Sequence, residues 1–144
     1  MFGDNLIYGQ TVVHTDAKTR LVLPAFTKAS SKDELLIVKD PRGIKIMPQD
    51  QLDKKVAKLE EIFDRELDEE KRVKLGNLLF NIYSSILKSC VCDNNKRIVL
   101  KDILKPSETY LVIGCRKSIL IQDHETNEVS AESKILGKEY KPNL

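Results

Sequence analysis

The stretch Asp16-Ala-Lys-Thr-Arg20-Leu-Val-Leu23 occurs in a second version as Asp93-Asn-Asn-Lys-Arg97-Ile-Val-Leu100. Each version has an acid, three small or polar residues that include a lysine, an arginine and then three apolar residues. The second version lies 77 positions after the first. Because self-similarity at a fixed spacing is the signature of a repeated structural unit, the chain is predicted to contain two related halves.

The similarity continues beyond this motif. Leu35-Leu-Ile-Val38 aligns with Tyr110-Leu-Val-Ile113, and Ile44-Lys-Ile46 aligns with Ile119-Leu-Ile121, each with a displacement of 75 positions. The second half has therefore lost two residues in its middle loop. Each half is predicted to consist of a strand, a polar turn, a strand, a short helical turn and a β-hairpin, and the two halves are predicted to be related by an internal pseudo-twofold axis.

Residue types and turn signals give the strand positions. β-Branched and other apolar runs predict strands at 11–15, 21–23, 35–38, 44–47, 97–100, 110–115 and 118–121. Pro24 ends the second strand and suits the first turn of a short helix at 25–30. The turn Asp40-Pro-Arg-Gly43 closes a hairpin.

The middle third has helical rather than strand periodicity. Residues 49–63 carry apolar side chains at helical spacing, and Asp68 is placed to cap a second helix. The apolar stripe of that helix is Leu75, Leu78, Leu79, Ile82 and Ile86. Gly76 in its centre predicts close packing against a neighbour. Phe80 and Tyr83 widen the stripe, which is consistent with either a subunit contact or ordinary core.

The chain is predicted to be a single domain over 1–144. It is divided into a first half (8–48), a two-helix segment (49–88), a second half (89–128) and a loose polar tail (129–144) with one helical turn near 129–135. The length of 144 residues is sufficient for a real hydrophobic core.

Composition excludes some classes of function. The net charge of +2 is spread evenly, so no domain-wide basic face predicts nucleic-acid binding. No apolar stretch approaches the roughly 20 residues needed to span a bilayer, and the N-terminus lacks an export pattern. A cytoplasmic protein without membrane contact is therefore expected.

No catalytic or metal-binding pattern is present. His14 and His124 have no motif around them, and there is no glycine-rich phosphate loop, so neither enzymatic activity nor a cofactor is expected. A zinc site from Cys90, Cys92, Cys115 and His124 is an alternative, but the usual finger spacing is absent. Reduced, buried thiols that act as small hydrophobic groups are the favoured interpretation.

The two motifs and the helical pair between them resemble the MraZ family of bacterial transcriptional regulators, in the AbrB-type swapped-hairpin superfamily. The resemblance covers roughly residues 8–128 and is closest at Thr15-Asp-Ala-Lys-Thr-Arg-Leu-Val-Leu-Pro24. The glycine usual before the arginine is replaced by Thr19 and Lys96, and the proline after the second motif is replaced by Lys101. A divergent MraZ and another AbrB-type regulator both remain open.

The resemblance implies an AbrB-like, swapped-hairpin α+β fold in which the two halves form a small barrel. It also implies a nucleoid-associated, ring-like homo-oligomer that binds double-stranded DNA sequence-specifically at promoter repeats. The residues that match the DNA-binding motif are Lys18, Arg20, Lys96 and Arg97, of which Arg20 is the strongest candidate. The matching acids, Asp16 and Asp93, have a structural role in the turns.

The chemistry of the motif leaves alternatives. An arginine fork can bind two acceptors on a phosphate or on a guanine edge, but Asp16 and Arg20 could instead form only a local ion pair. Arg42, Arg116 and Lys117 are interpreted as solvated hairpin tips. An AbrB-type antitoxin or interaction regulator that binds a protein partner is the alternative to a DNA-binding regulator.

Overall fold

The computed structural model describes residues 1–124, in which two helices lie between two groups of strands. In chain order the elements are β1 (Gln10–His14), β2 (Arg20–Val22), β3 (Glu34–Asp40), β4 (Gly43–Pro48), α1 (Gln49–Arg65), α2 (Glu69–Ser85), β5 (Ile86–Val91), β6 (Arg97–Val99), β7 (Thr109–Gly114) and β8 (Ile119–Asp123). The predicted α+β class and the two-helix insertion are therefore confirmed. The tail predicted at 129–144 lies outside the described residues.

The two halves are joined because each contributes a strand that pairs with a strand of the other half. Six strands form one sheet in the order β1-β7-β8-β4-β3-β5, and β2 and β6 form a separate two-stranded ribbon. The first strand of each half pairs with the third strand of the other half, β1 with β7 and β5 with β3, and all these pairings are antiparallel. Exchanging the two halves leaves the order of the sheet unchanged, as the predicted pseudo-twofold requires.

The six-stranded sheet is not closed into a barrel. Within residues 1–124, β1 pairs only with β7 and β5 pairs only with β3, so these two strands are the edges of an open sheet. The β2–β6 ribbon shares one buried cluster with the inner face of this sheet. The strands therefore form two layers, and the core lies between them.

Alternation along the ribbon explains how it packs. Leu21 and Ile98 are opposite each other in the β2–β6 pair and are 0% and 1% exposed. Because neighbouring strand residues point to opposite faces, the residues on either side of them point away from the core. The buried sheet residues that complete the cluster include Leu35, Ile37, Ile46, Val112, Ile119 and Ile121.

The helical segment agrees with two local predictions and corrects a third. Asp68 caps α2 by accepting a hydrogen bond from the backbone N–H of Lys71 at 3.0 Å. A Cβ at Gly76 would lie 3.3 Å from Cε2 of Phe63, which confirms close packing of the two helices there. Ile86 does not belong to the stripe of α2; it begins β5 and is opposite Val38 of β3. A β-branched residue favours this strand position.

The short helix after the second strand is also shorter than predicted. It is a single 3₁₀ turn, Ala25–Thr27, because Lys28 adopts a left-handed backbone conformation with a φ of 60°. Among residues 1–124, neither helix is long and apolar enough to cross a membrane.

Candidate nucleic-acid interface

The first motif forms a tight turn that is organised by its acid. Oδ1 of Asp16 accepts hydrogen bonds from the backbone N–H of Lys18 at 2.9 Å and of Arg20 at 2.8 Å. Oδ2 of Asp16 accepts one from Nε of Arg20 at 2.6 Å. The backbone N–H of Thr19 donates to the carbonyl of Asp16 at 3.0 Å. One carboxylate thus fixes both the turn and the guanidinium group of the arginine.

The second motif repeats this arrangement. Oδ1 of Asp93 accepts from the backbone N–H of Asn95 and of Arg97, each at 2.8 Å, and Oδ2 accepts from Nε of Arg97 at 3.0 Å. The backbone N–H of Lys96 donates to the carbonyl of Asp93 at 3.0 Å. The local ion pair that was an alternative interpretation is therefore present in both halves, where it orients the arginine.

Hydrogen bonding lowers the pKa of both acids. The pKa of Asp16 lies below its usual 3.8, mainly because the backbone N–H of Arg20 donates to the carboxylate, and the Arg20 side chain adds to this effect. The pKa of Asp93 is lowered in the same way by Arg97. Both carboxylates are therefore ionised at neutral pH.

This shift makes the stability of the fold depend on acidity. Since the folded pKa of each acid is below its unfolded value, the stabilisation is present above about pH 4 and is lost as the pH falls through the folded pKa. We expect the double variant Asp16→Asn, Asp93→Asn to unfold at lower urea concentration at pH 7 and to lose stability less steeply than the wild type below pH 4. Urea titrations across this pH range measure both effects. Asp53→Asn on the exposed side of α1 is the control. If the stability of the double variant fell as steeply with pH below pH 4 as that of the wild type, the prediction would be contradicted.

The residue before each arginine has a left-handed backbone. Thr19 has a φ of 57° and Lys96 a φ of 59°. This region favours glycine because a Cβ clashes with the backbone there. The glycine that the family resemblance implies at this position therefore has a physical reason, and this chain tolerates two strained residues in its place.

Replacing Lys96 with glycine is expected to stabilise the protein. The relief of the left-handed strain exceeds the added entropy of the unfolded chain, and the exposed lysine side chain gives up no core contact. We expect a gain of about 0.5–1 kcal/mol in the free energy of unfolding, measured by urea titration. Lys45→Gly, in a regular strand, is the control and should destabilise. A less stable Lys96→Gly variant would contradict the prediction.

The ribbon presents both arginines on one outward face. Arg20 of β2 is directly opposite Val99 of β6, and Val22 is directly opposite Arg97. The side chains of Arg20 and Arg97 are 29% and 27% exposed. Among residues 1–124, each of these side chains forms its hydrogen bond only through Nε. The Nη donors of the two forks are therefore available to a ligand.

The two predicted lysines do not occupy equivalent positions. Lys18 lies in the middle of the first turn, where the second turn has Asn95, whereas Lys96 occupies the left-handed position that corresponds to Thr19. Both lysines are exposed. The structure thus brings together the two arginines as a symmetric pair, with the lysines placed asymmetrically around them.

Three further lysines near the ribbon were not predicted. Nζ of Lys88 on β5 donates to the carbonyl of Val99 at 3.3 Å. Lys101 and Lys105 line the same cleft as Lys18, with a volume of about 510 Å³. Lys101 and Lys105 lie in the loop between β6 and β7, whereas Lys88 lies on β5. The cleft forms where this loop packs against the first turn, and no periodicity in the sequence indicated that contact.

Two of the three basic residues at the hairpin tips form hydrogen bonds through their side chains. Nε of Arg42 donates to Oδ1 of Asp40 at 3.0 Å, and Nζ of Lys117 donates to the carbonyl of Gly3 at 3.0 Å. Lys117 therefore ties the N-terminal segment to the β7–β8 turn and is not simply a solvated tip. Arg42 and Arg116 line a separate cleft of about 330 Å³.

Two of the three cysteines, Cys90 and Cys92, lie in environments that suppress reactivity. Burial raises the pKa of Cys90 to about 11 and also raises the pKa of the buried Cys92. These two thiols are protonated at neutral pH. Within residues 1–124, no three His, Cys, Asp or Glu side chains are grouped so that they could hold a metal ion.

No model of a known protein family matches the chain, and a comparison with curated protein sequences found no significant match. The resemblance to the MraZ family therefore stays a prediction that depends on the motif and its repetition.

Proposed function

We propose that this protein is a sequence-specific, double-stranded DNA-binding transcriptional regulator of the MraZ-like, swapped-hairpin kind. In this proposal it acts as a homo-oligomer on promoter repeats and is nucleoid-associated. The observation that carries the proposal is the pair of Asp–Arg turns, which holds two arginine forks on the outward face of one ribbon.

The geometry of the ribbon favours DNA as the ligand. A two-stranded antiparallel ribbon has the size to enter the major groove, and arginine is the commonest side chain to bind the O6 and N7 acceptors of guanine. Each acid fixes Nε of its arginine, so little side-chain entropy is lost when the Nη atoms bind. Lys18 and Lys96 beside the forks are suited to phosphate contacts, because a lysine ammonium contributes charge without requiring a fixed orientation.

Assembly of several chains would compensate for the low charge of one chain. With a net charge of +2, a single subunit neutralises few phosphates and its affinity is expected to be weak. Linking several subunits makes the later contacts intramolecular and raises avidity. The apolar residues of α2 extend past the face that packs on the rest of the chain, with Phe80 68% and Val73 54% exposed. We propose that a second copy covers this surface.

An electrophoretic shift experiment tests the function. The full-length protein is titrated against the DNA upstream of its own gene and against a scrambled duplex, at two salt concentrations. We expect a shift of the upstream duplex at lower protein concentration, and a strong loss of affinity with salt, by about 0.9 in log–log slope for each phosphate contacted. Arg20→Ala should weaken the shift and Arg65→Ala, at an exposed ion pair on α1, should not.

Equal affinity for both duplexes, or a shift that Arg20→Ala leaves unchanged, would contradict the assignment. No shift at either salt concentration would favour the alternative, an AbrB-type antitoxin or interaction regulator that binds a protein partner.

A further inference from the structure

The outward face of the ribbon carries two exposed valines in equivalent positions. Val22 is 53% exposed and Val99 is 42% exposed, whereas the inward residues Leu21 and Ile98 are buried. The strand face that meets water is normally polar, and here both halves have the same apolar residue instead. Neither valine contributes to the buried core cluster. Their repetition on the face of the candidate interface indicates contact with a ligand.

Each valine is paired with an arginine of the other half. Val99 is directly opposite Arg20, and Val22 is directly opposite Arg97, so their Cβ atoms are about 4.5–5.5 Å apart. Each pair places an apolar group beside guanidinium donors that are available to a ligand. A purely apolar partner would leave these donors without acceptors, whereas a DNA groove supplies both acceptors and methyl groups.

Among the bases, thymine alone presents a methyl group in the major groove, while guanine presents the acceptors that arginine prefers. An apolar side chain beside an arginine therefore matches a thymine next to a guanine-containing base pair. The methyl group of thymine and the Cγ atoms of valine exclude water from each other on contact, which favours thymine over cytosine and over uracil at that position.

We propose that Val22 and Val99 are specificity-determining residues that each contact the 5-methyl group of a thymine in the major groove; this inference rests on the proposed DNA-binding function. The two valines are diagonal neighbours across the ribbon, so they are separated by about 7–8 Å. Since base pairs are stacked about 3.4 Å apart, the two thymines lie about two base-pair steps apart, beside the positions bound by Arg20 and Arg97.

Deoxyuridine substitution tests the methyl contact. Duplexes are first selected from a randomised library with the full-length protein, and each thymine of the selected site is then replaced by deoxyuridine, which removes only the methyl group. We expect about a fourfold loss of affinity at each of two thymines, the gain associated with one buried methyl-sized group. Val22→Ala should weaken binding to the thymine duplex by a similar factor, and it should abolish the effect of deoxyuridine at one of the two positions. Val99→Ala should do the same at the other position.

Val12→Ala on β1 is the matched control, because Val12 is also 42% exposed but lies in the six-stranded sheet and not on the ribbon. It should leave the affinity and both deoxyuridine effects unchanged. If the library yields a bound duplex on which deoxyuridine has no effect at any position, or on which its effect persists in both valine variants, the thymine contact is overturned while DNA binding stands. If no duplex is selected, the proposed function is overturned, and this inference with it.

Discussion

Replacing Arg20 and Arg97 together with alanine is expected to lower the affinity for a selected duplex by at least about 30-fold at fixed salt. Each well-placed arginine fork contributes about 1–3 kcal/mol of discrimination for its base, and the two forks are held by separate acids in separate turns. Because no side-chain hydrogen bond among residues 1–124 joins the Asp16–Arg20 pair to the Asp93–Arg97 pair, we expect the losses to add. Fluorescence anisotropy with a labelled duplex measures the change.

Matched control variants distinguish the contribution of the planar guanidinium groups of Arg20 and Arg97 from the contribution of their positive charge. Arg42→Ala, Arg65→Ala removes the same net charge from arginines that are also ion-paired, to Asp40 and to Glu61, each at 3.0 Å. This variant should lose little affinity. Arg20→Lys, Arg97→Lys keeps the charge but lacks the planar fork, so its affinity should be intermediate and its preference among bases should be weaker. If Arg20→Ala, Arg97→Ala and Arg42→Ala, Arg65→Ala lose the same amount of affinity for the duplex, net charge alone determines binding.

The sequence was sufficient to predict the parts of the structure that depend on local chemistry. The spacing from Asp16 to Arg20 predicted a turn, and the structure explains why, since one carboxylate reaches two backbone N–H groups and Nε within five residues. The cap at Asp68 and the close packing at Gly76 are likewise properties of a few neighbouring residues. The repeat also predicted a pseudo-twofold, because equivalent sequences adopt equivalent strands.

Long-range pairing could not be predicted in the same way. β1 pairs with β7, and the hydroxyl of Thr109 lies 2.9 Å from Nδ1 of His14 across 95 positions of the chain. No periodicity within a segment determines which strand lies beside it. The small barrel was expected from the family resemblance alone, and the six-stranded sheet of residues 1–124 is open. Lys88 was missed because it reaches the ribbon only after β5 has paired with the other half.

The sequence motif was sufficient to identify Arg20 and Arg97 as candidate residues, but not to predict whether their side chains face a ligand. The same Asp–Arg pairing would be present in a turn that only stabilises the fold. What distinguishes a candidate interface is the register of the ribbon, which places Arg20 and Arg97 on the face opposite the buried Leu21 and Ile98. That register depends on the pairing of two segments from different halves, and it is therefore a property of the folded chain.

The second large effect is expected on the surface of α2. At about 100° per residue, the apolar side chains of this helix from Leu78 through Leu79 to Val73 span about 220° of its circumference, but only Leu79 is buried. Phe80 is 68% exposed. Burying an exposed phenylalanine side chain completely contributes about 1.5–3 kcal/mol. Because Phe80 is already about one-third buried, an assembly in which each copy buries the remainder gains about 1–2 kcal/mol per copy. A surface of this kind supports the proposed homo-oligomer.

Phe80→Glu is therefore expected to reduce the mass of the assembly, measured by size-exclusion chromatography with light scattering, and to lower the affinity for DNA with several repeats by about 100-fold or more, because avidity is lost. Affinity for a duplex with a single site should change little, since the ribbon is unaltered. Asn81→Glu adds the same charge at an exposed position near the middle of the polar side of α2 and should preserve the assembly. If the wild-type protein is monomeric, or if Phe80→Glu retains the wild-type mass, α2 is not the contact between subunits. A variant that becomes monomeric yet binds repeated sites as tightly as the wild type would instead show that DNA binding does not depend on assembly.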